Sequence, residues 1–195
     1  MLAGSGGETK PHKFSESLKA SHAAESLPFW EEAYRKAFPT MIAMHSHRQD
    51  GPHQRAGVDR SIILNNSKQL LIDEKVRGRN KKTGKVYQDI ALEYLSDSER
   101  GKPGWVCKQL SSDYVAYAIA PLGMCYVLPV LQMQQAFSRH RDSWIGQYQR
   151  IAAINEENGH RWTTLSVGVP VPILFKAIGD CLRVTFSPMQ LDDLG

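Results

Sequence analysis

Asp59, Asp73 and Lys75 are the residues of this chain whose types and spacing point most directly to chemistry. They fall in the stretch from Gln54 to Arg77, QRAGVDRSIILNNSKQLLIDEKVR. There two apolar runs rich in β-branched residues, Val58 to Leu64 and Leu70 to Val76, flank the polar cluster Asn65-Asn66-Ser67. That pattern predicts a β-hairpin. A loop of Asn65, Asn66 and Ser67 sets Leu64 opposite Lys68, and the same register sets Asp59 opposite Asp73. Side chains alternate along a strand, so Lys75 shares the face of Asp73 while Glu74 points to the other. Opposed Cβ atoms lie roughly 4.5 to 5.5 Å apart, where two carboxylates repel unless something positive lies between them. A hard cation such as Mg²⁺ suits carboxylate oxygens and keeps positions for water and a phosphate. Lys75 would orient or polarise such a water, or stabilise charge on an attacked phosphodiester. The blander reading makes Asp59 the end of a turn and Asp73, Glu74 and Lys75 charges on a solvated strand. A two-residue loop would bring Glu74, not Asp73, opposite Asp59.

Asp59 at the start of one strand, a hairpin, and Asp73-Glu74-Lys75 late in the next together resemble the Asp…(Asp/Glu)-x-Lys core of the PD-(D/E)xK nuclease superfamily. That superfamily includes many restriction endonucleases, resolvases and phage exonucleases. The acids are 73 − 59 = 14 residues apart, which suits that core, and the resemblance covers roughly residues 27 to 130. Val58 stands where the family often carries proline. The resemblance implies an α/β fold, with a mixed central β-sheet flanked by helices and a restriction-endonuclease-like core bearing C-terminal additions. It implies a nuclease of phage or bacterial type that needs Mg²⁺ or Mn²⁺. Asp59, Asp73 and the Glu74 carbonyl would be metal ligands, Lys75 the catalytic cation and water the nucleophile. The expected partner is nucleic acid, DNA before RNA, and a homodimer is expected if both strands of a duplex are cut. The alternative is a nuclease fold without catalysis, serving as a nucleic-acid- or protein-binding factor of the phage accessory or inhibitor type.

The elements that must position these residues can be read from spacing. Ser26-Leu27-Pro28 starts a helix in which Trp30, Ala33, Tyr34, Ala37 and Phe38 recur at helical spacing before Pro39 stops it. The resemblance makes Glu31, with Glu32, a candidate further acid, although the helix dipole alone favours glutamates there. The polar segment from His45 to Gln54 reads as a substrate-contacting loop leading into the hairpin, with Gln54 at the mouth of the site. A zinc-dependent hydrolase using His45, His47 and His53 is the competing reading of the same segment. After Val76, residues Arg77, Arg79, Lys81, Lys82 and Lys85 form a basic loop without an acid, suited to a phosphate backbone. A strand from Val86 to Leu95 carries Glu93, which either faces the same cleft or is a surface charge. Pro103-Gly104-Trp105 opens a short helix, which the resemblance makes a crossover element with Lys108 as a candidate site residue. A strand from Tyr114 to Ala120, a hairpin through Pro121 to Gly123 and a strand from Met124 to Leu128 follow. Then come a long helix from Pro129 to about Ile154, a strand from Trp162 to Val167, a short helix through Ile178 and a strand from Leu182 to Phe186.

The bulk properties agree with one ordinary globular core. The chain has 195 residues, 42% hydrophobic and 23% charged, with a net charge of +4 that fits a polyanionic partner without requiring one. Cys107, Cys125 and Cys181 are far apart and lack C-x-x-C spacing, so the sequence predicts neither a zinc site built on cysteine nor a disulfide framework. A reducing, cytoplasmic compartment follows from that usage. No apolar run long enough to span a bilayer is present, and no signal peptide or membrane segment is expected. Residues 1–25, rich in Gly, Ser, Lys and His, read as a flexible N-terminal arm, and residues 26–195 as one nuclease-like domain.

Overall fold

Residues 12–13, 23, 26–47, 50–80, 83–179 and 181–189 are described by the computed structural model on which this structural account rests. Helix α1 (Phe29–Ala37) buries Trp30, Ala33, Tyr34 and Ala37, an i, i+3, i+4, i+7 stripe. On its outer side Glu31 pairs with Arg35 and Glu32 with Lys36, one turn apart. A hairpin-rich run follows: β2 (Met41–Ser46), the short helix α2 (Gly51–Arg55), β3 (Arg60–Leu64) and β4 (Gln69–Arg77). Next are β5 (Asp89–Asp97), β6 (Lys102–Pro103), β7 (Tyr114–Ile119) and β8 (Met124–Pro129). The chain closes with α3 (Val130–Gln147), β9 (Gln149–Glu157), β10 (His160–Pro170), α4 (Val171–Ile178) and β11 (Leu182–Thr185). Of the predicted arm, His12–Lys13 form β1, which pairs with β9, and residue 23 is described; the rest lies outside the described residues.

Six strands form one sheet in the order β11-β8-β7-β4-β3-β2, with β4 and β7 parallel and the other pairs antiparallel. The fold is therefore α/β with a mixed sheet flanked by helices, as the sequence predicts. A five-stranded sheet, β1-β9-β10-β5-β6, is added to it. The six-stranded sheet separates two apolar clusters by strand alternation. Ile62, Ile72, Ala116 and Ala118 face α1, whereas Val115, Tyr117 and Ile119 face α3 and the apolar side chains Ile90, Leu92, Val167 and Val169 of the second sheet. Ile62 and Ile72 are fully buried, and each contributes roughly 1.5 to 3 kcal/mol by leaving water.

Parallel β4 and β7 require a crossover, and this one runs through β5 and β6 in the second sheet. The helix expected from Pro103-Gly104-Trp105 is instead a turn clamped to β5. The Gly104 amide donates to the Tyr94 carbonyl (3.0 Å) and that of Val106 to Glu93 (3.2 Å). Any Cβ on Gly104 would sit 2.3 Å from the Glu93 carbonyl oxygen, so the close approach requires glycine. The long helix also needs correction, because α3 stops at Gln147 and Gln149–Glu157 is a strand paired with β10. Asn158 and Gly159, both at positive φ (50° and 76°), supply the tight turn of that hairpin.

Candidate active site

The hairpin forms in the register set by its loop. Arg60 pairs with Ile72, Ser61 with Leu71, Ile62 with Leu70 and Ile63 with Gln69. The Leu64 amide donates to the Lys68 carbonyl across the turn (2.9 Å). The paired register ends at Arg60; beyond it the Asp59 amide donates to the Ile72 carbonyl (2.9 Å) and its side chain takes over, Oδ2 accepting from the Glu74 amide at 2.7 Å. Amide and carbonyl of one strand residue point to the same side, so the Glu74 carbonyl also faces this gap, 3.5 Å from Lys75 Nζ.

Asp59, Asp73 and Lys75 thus meet on one face. Lys75 Nζ lies 2.5 Å from Asp73 Oδ1, with the aspartate side chain 5% exposed and the lysine 31%. Burial pushes the Asp73 carboxyl up to about 6; Lys75 pulls it down, and Asp59, within hydrogen-bonding reach, pushes it up again. Burial works against the Lys75 charge, but Asp73, Asp59 and Glu93 outweigh it and its pKa rises. Two acids therefore share one strong cation.

The opposite face of β4 packs on α1. Glu74 Oε1 accepts from Arg60 Nε (2.5 Å) and the Tyr34 hydroxyl (2.7 Å), and Oε2 is 3.2 Å from Arg60 Nη2. Burial pushes Glu74 up to about 7 against the pull of Arg60 and Tyr34. Its carboxylate is engaged on the α1 side, so only its carbonyl faces the Asp59–Asp73 side. Glu31 is on α1, on that same side of the sheet, exposed and paired with Arg35, and does not join the two aspartates.

Glu93 and Lys108 do come near. Burial raises the Glu93 carboxyl, and Lys75, a backbone hydrogen bond from Trp105 and Lys108 each draw it down. The clamped turn around Gly104 therefore brings the exposed Lys108 to Glu93, whose carboxyl also reaches the lysine of β4. Gln54 lies in α2, and its side chain is outside what the structure describes. The basic loop is divided. Arg77 is committed internally: Nη1 is 2.5 Å from Asp89 Oδ1, both side chains are largely buried, and its guanidinium stacks on Tyr87 at 4.6 Å. This corrects the expectation that Arg77 is open to a phosphate backbone. Arg79 and Lys85 are exposed, and Lys81 and Lys82 lie outside the described residues.

A second cluster stands beside the first. The His47 amide donates to the Asp59 carbonyl (2.9 Å), continuing the β2–β3 register so that His47 opposes Asp59. His47, Asp50 and His53 bring one candidate ligand atom each within 4.8 Å of one another. The sequence reading grouped His45 with His47 and His53, but in the structure the third member is Asp50. The His-x-x-Asp-x-x-His spacing was the available signal, because a strand end followed by one helical turn folds i, i+3 and i+6 together. The Arg60–Glu74–Tyr34 cluster had only a partial signal, since Tyr34 arrives from a helix 40 residues away. Compared with family models, curated proteins and solved structures, the chain matches none of them.

Proposed function

We propose that this chain is a divalent-metal-dependent nuclease that hydrolyses phosphodiester bonds, DNA being the first substrate to test. The observation that carries the reading is the convergence of Asp59, Asp73 and Lys75 on one face of the hairpin, with the Glu74 carbonyl at the same gap. The donors fit a hard cation: two carboxylates and a carbonyl offer only oxygen, the set that Mg²⁺ and Mn²⁺ take. Such an ion would be held by Asp59, Asp73 and the Glu74 carbonyl, and supplies Lewis acidity toward phosphate and water.

The chain's own groups do the remaining work. With a pKa of about 6, Asp73 is ionised at neutral pH and ready to act as an oxygen ligand. Lys75 holds Asp73 in place and keeps its charge, so its ammonium can follow negative charge as it builds on a phosphate oxygen. Glu93 favours the charge on that ammonium from the second sheet. Exposed Arg79 and Lys85 provide sequence-independent attraction for the backbone.

The test is cleavage of labelled duplex DNA, single-stranded DNA and RNA with Mg²⁺, Mn²⁺ or EDTA. Metal-dependent cutting is expected in the wild type and none in Asp73→Ala, with Lys75→Met slowed by roughly 10² to 10³-fold. Full activity in Lys75→Met overturns the assignment. Binding without cutting on every substrate identifies a non-catalytic binding protein instead.

A further inference from the structure

His47, Asp50 and His53 sit on a backbone that is tied at three points. The His47 amide bonds to Asp59, the Asp50 amide to the His47 carbonyl (2.8 Å), and the Val58 amide to the His53 carbonyl (3.0 Å). The two imidazoles stack with centroids 4.1 Å apart and planes at 7°. Ser61 Oγ lies 2.5 Å from His47 Nε2 and itself accepts from Gln69 Nε2 (2.9 Å), which fixes the ring and leaves Nδ1 as its free nitrogen. A partner on the far nitrogen is what orients a ligating histidine. Asp50 Oδ2 and His53 Nδ1, 2.7 Å apart, share one proton. An ion replacing that proton needs the two atoms to part to about 3.3 Å, the edge of a tetrahedron with bonds of about 2.0 Å, and one imidazole to turn out of the stack so that both in-plane lone pairs meet the ion.

We propose that His47, Asp50 and His53 bind one borderline divalent transition-metal ion of the Zn²⁺ class, separately from the carboxylate pair. Two imidazoles and a carboxylate select such an ion over Mg²⁺, which takes oxygen ligands. All three side chains are half-exposed, so water can complete the coordination. The site is one strand from Asp59, about 5 Å, and two from Asp73, about 10 Å, at the usual strand spacing, and neither aspartate is among the three residues whose ligand atoms converge. Its existence does not depend on the nuclease reading.

The competing explanation is structural: Asp50 caps α2, its Oδ1 accepting weakly from the His53 amide at 3.4 Å. Asparagine caps as well as aspartate but brings no charge to an ion, so Asp50→Asn separates the two roles. The metal-free full chain is titrated with Zn²⁺ by calorimetry and with Co²⁺ by its visible absorption. One equivalent per chain is expected for the wild type and for Asp73→Ala, unaffected by excess Mg²⁺. His53→Ala and Asp50→Asn should each weaken binding at least about tenfold, with the Asp50→Asn fold intact by circular dichroism. Absence of stoichiometric Zn²⁺ overturns the proposal. So does equal affinity in Asp50→Asn, or binding lost in Asp73→Ala and kept in Asp50→Asn, which moves the ion to the carboxylate pair.

Discussion

Strand β4 buries a carboxylate on each of its faces, and the two are served differently. On the α1 face Glu74 holds Arg60 through both carboxylate oxygens and accepts the Tyr34 hydroxyl. On the other face Asp73 shares the single ammonium of Lys75 with Asp59 and Glu93. Both carboxyls are pushed up by burial, to about 7 and about 6, so the shift does not tell them apart. What does is the balance of partners: Glu74 has both Arg60 and the Tyr34 hydroxyl for its one carboxylate, while Lys75 is 31% exposed and its neighbours carry surplus negative charge. A buried ion pair with all partners present is architecture; one with excess charge at an opening can take up a cation.

The sharpest way to break this contrast is Glu74→Ala. It takes the carboxylate away from the Arg60 guanidinium, 9% exposed, and leaves the Tyr34 hydroxyl, which carries no countercharge. Arginine does not give up its proton in proteins, so the cost should be roughly 3 to 5 kcal/mol of folding stability in denaturant titration. Cleavage measured well below the unfolding midpoint should persist. A loss under about 1 kcal/mol, the range of surface pairs, would mean that the Arg60–Glu74 pair behaves as a solvent-screened one.

The Asp73 face should report itself through pH in the metal-free protein. Its folded pKa, about 6, is raised above the ordinary 3.8, so between those values the native state binds more protons than the unfolded one. Stability therefore falls as pH rises from about 4 to about 6 and is level on either side. At 1.36 kcal/mol per pKa unit the fall amounts to at most ~3 kcal/mol. Asp73→Asn has no such group, so the difference between wild type and variant in EDTA should slope only across that window. Parallel curves from pH 4 to 7 would show that Asp73 is not held by burial as described.

Period-two alternation and a loop of fixed length made most of this site legible, because both act locally. They set Asp59 against Asp73 and separate Glu74 from Lys75 before any tertiary contact is considered. What escaped depended on distant partners or on competing local signals. Arg77 reads as one charge of a basic loop, but Asp89 arrives from the next strand and consumes it. Trp144 and Tyr148 continue the helical stripe of α3, which hides the strand start at Gln149, although Asn158-Gly159 was a turn signal in plain view. Gly104 looked like a helix start beside proline, and only the Glu93 backbone packed against its missing Cβ explains a turn there.

The smallest effect tests whether the two faces are independent. Tyr34→Phe removes one hydroxyl from Glu74 and leaves both Arg60 contacts in place, with the ring still packed against Trp30. The lost hydrogen bond should cost about 1 kcal/mol, and because that bond lowers the Glu74 pKa, the pH at which Glu74 ionises should rise further. None of this touches Lys75, whose ammonium answers to Asp73, Asp59 and Glu93. Cleavage and its metal dependence should therefore be unchanged at a temperature where the variant is folded. A fall in turnover larger than the fall in stability would mean that Glu74 positions its own carbonyl, or the Asp59 carboxylate bonded to its amide, through the strand backbone. The Arg60–Glu74–Tyr34 cluster would then be part of the catalytic apparatus.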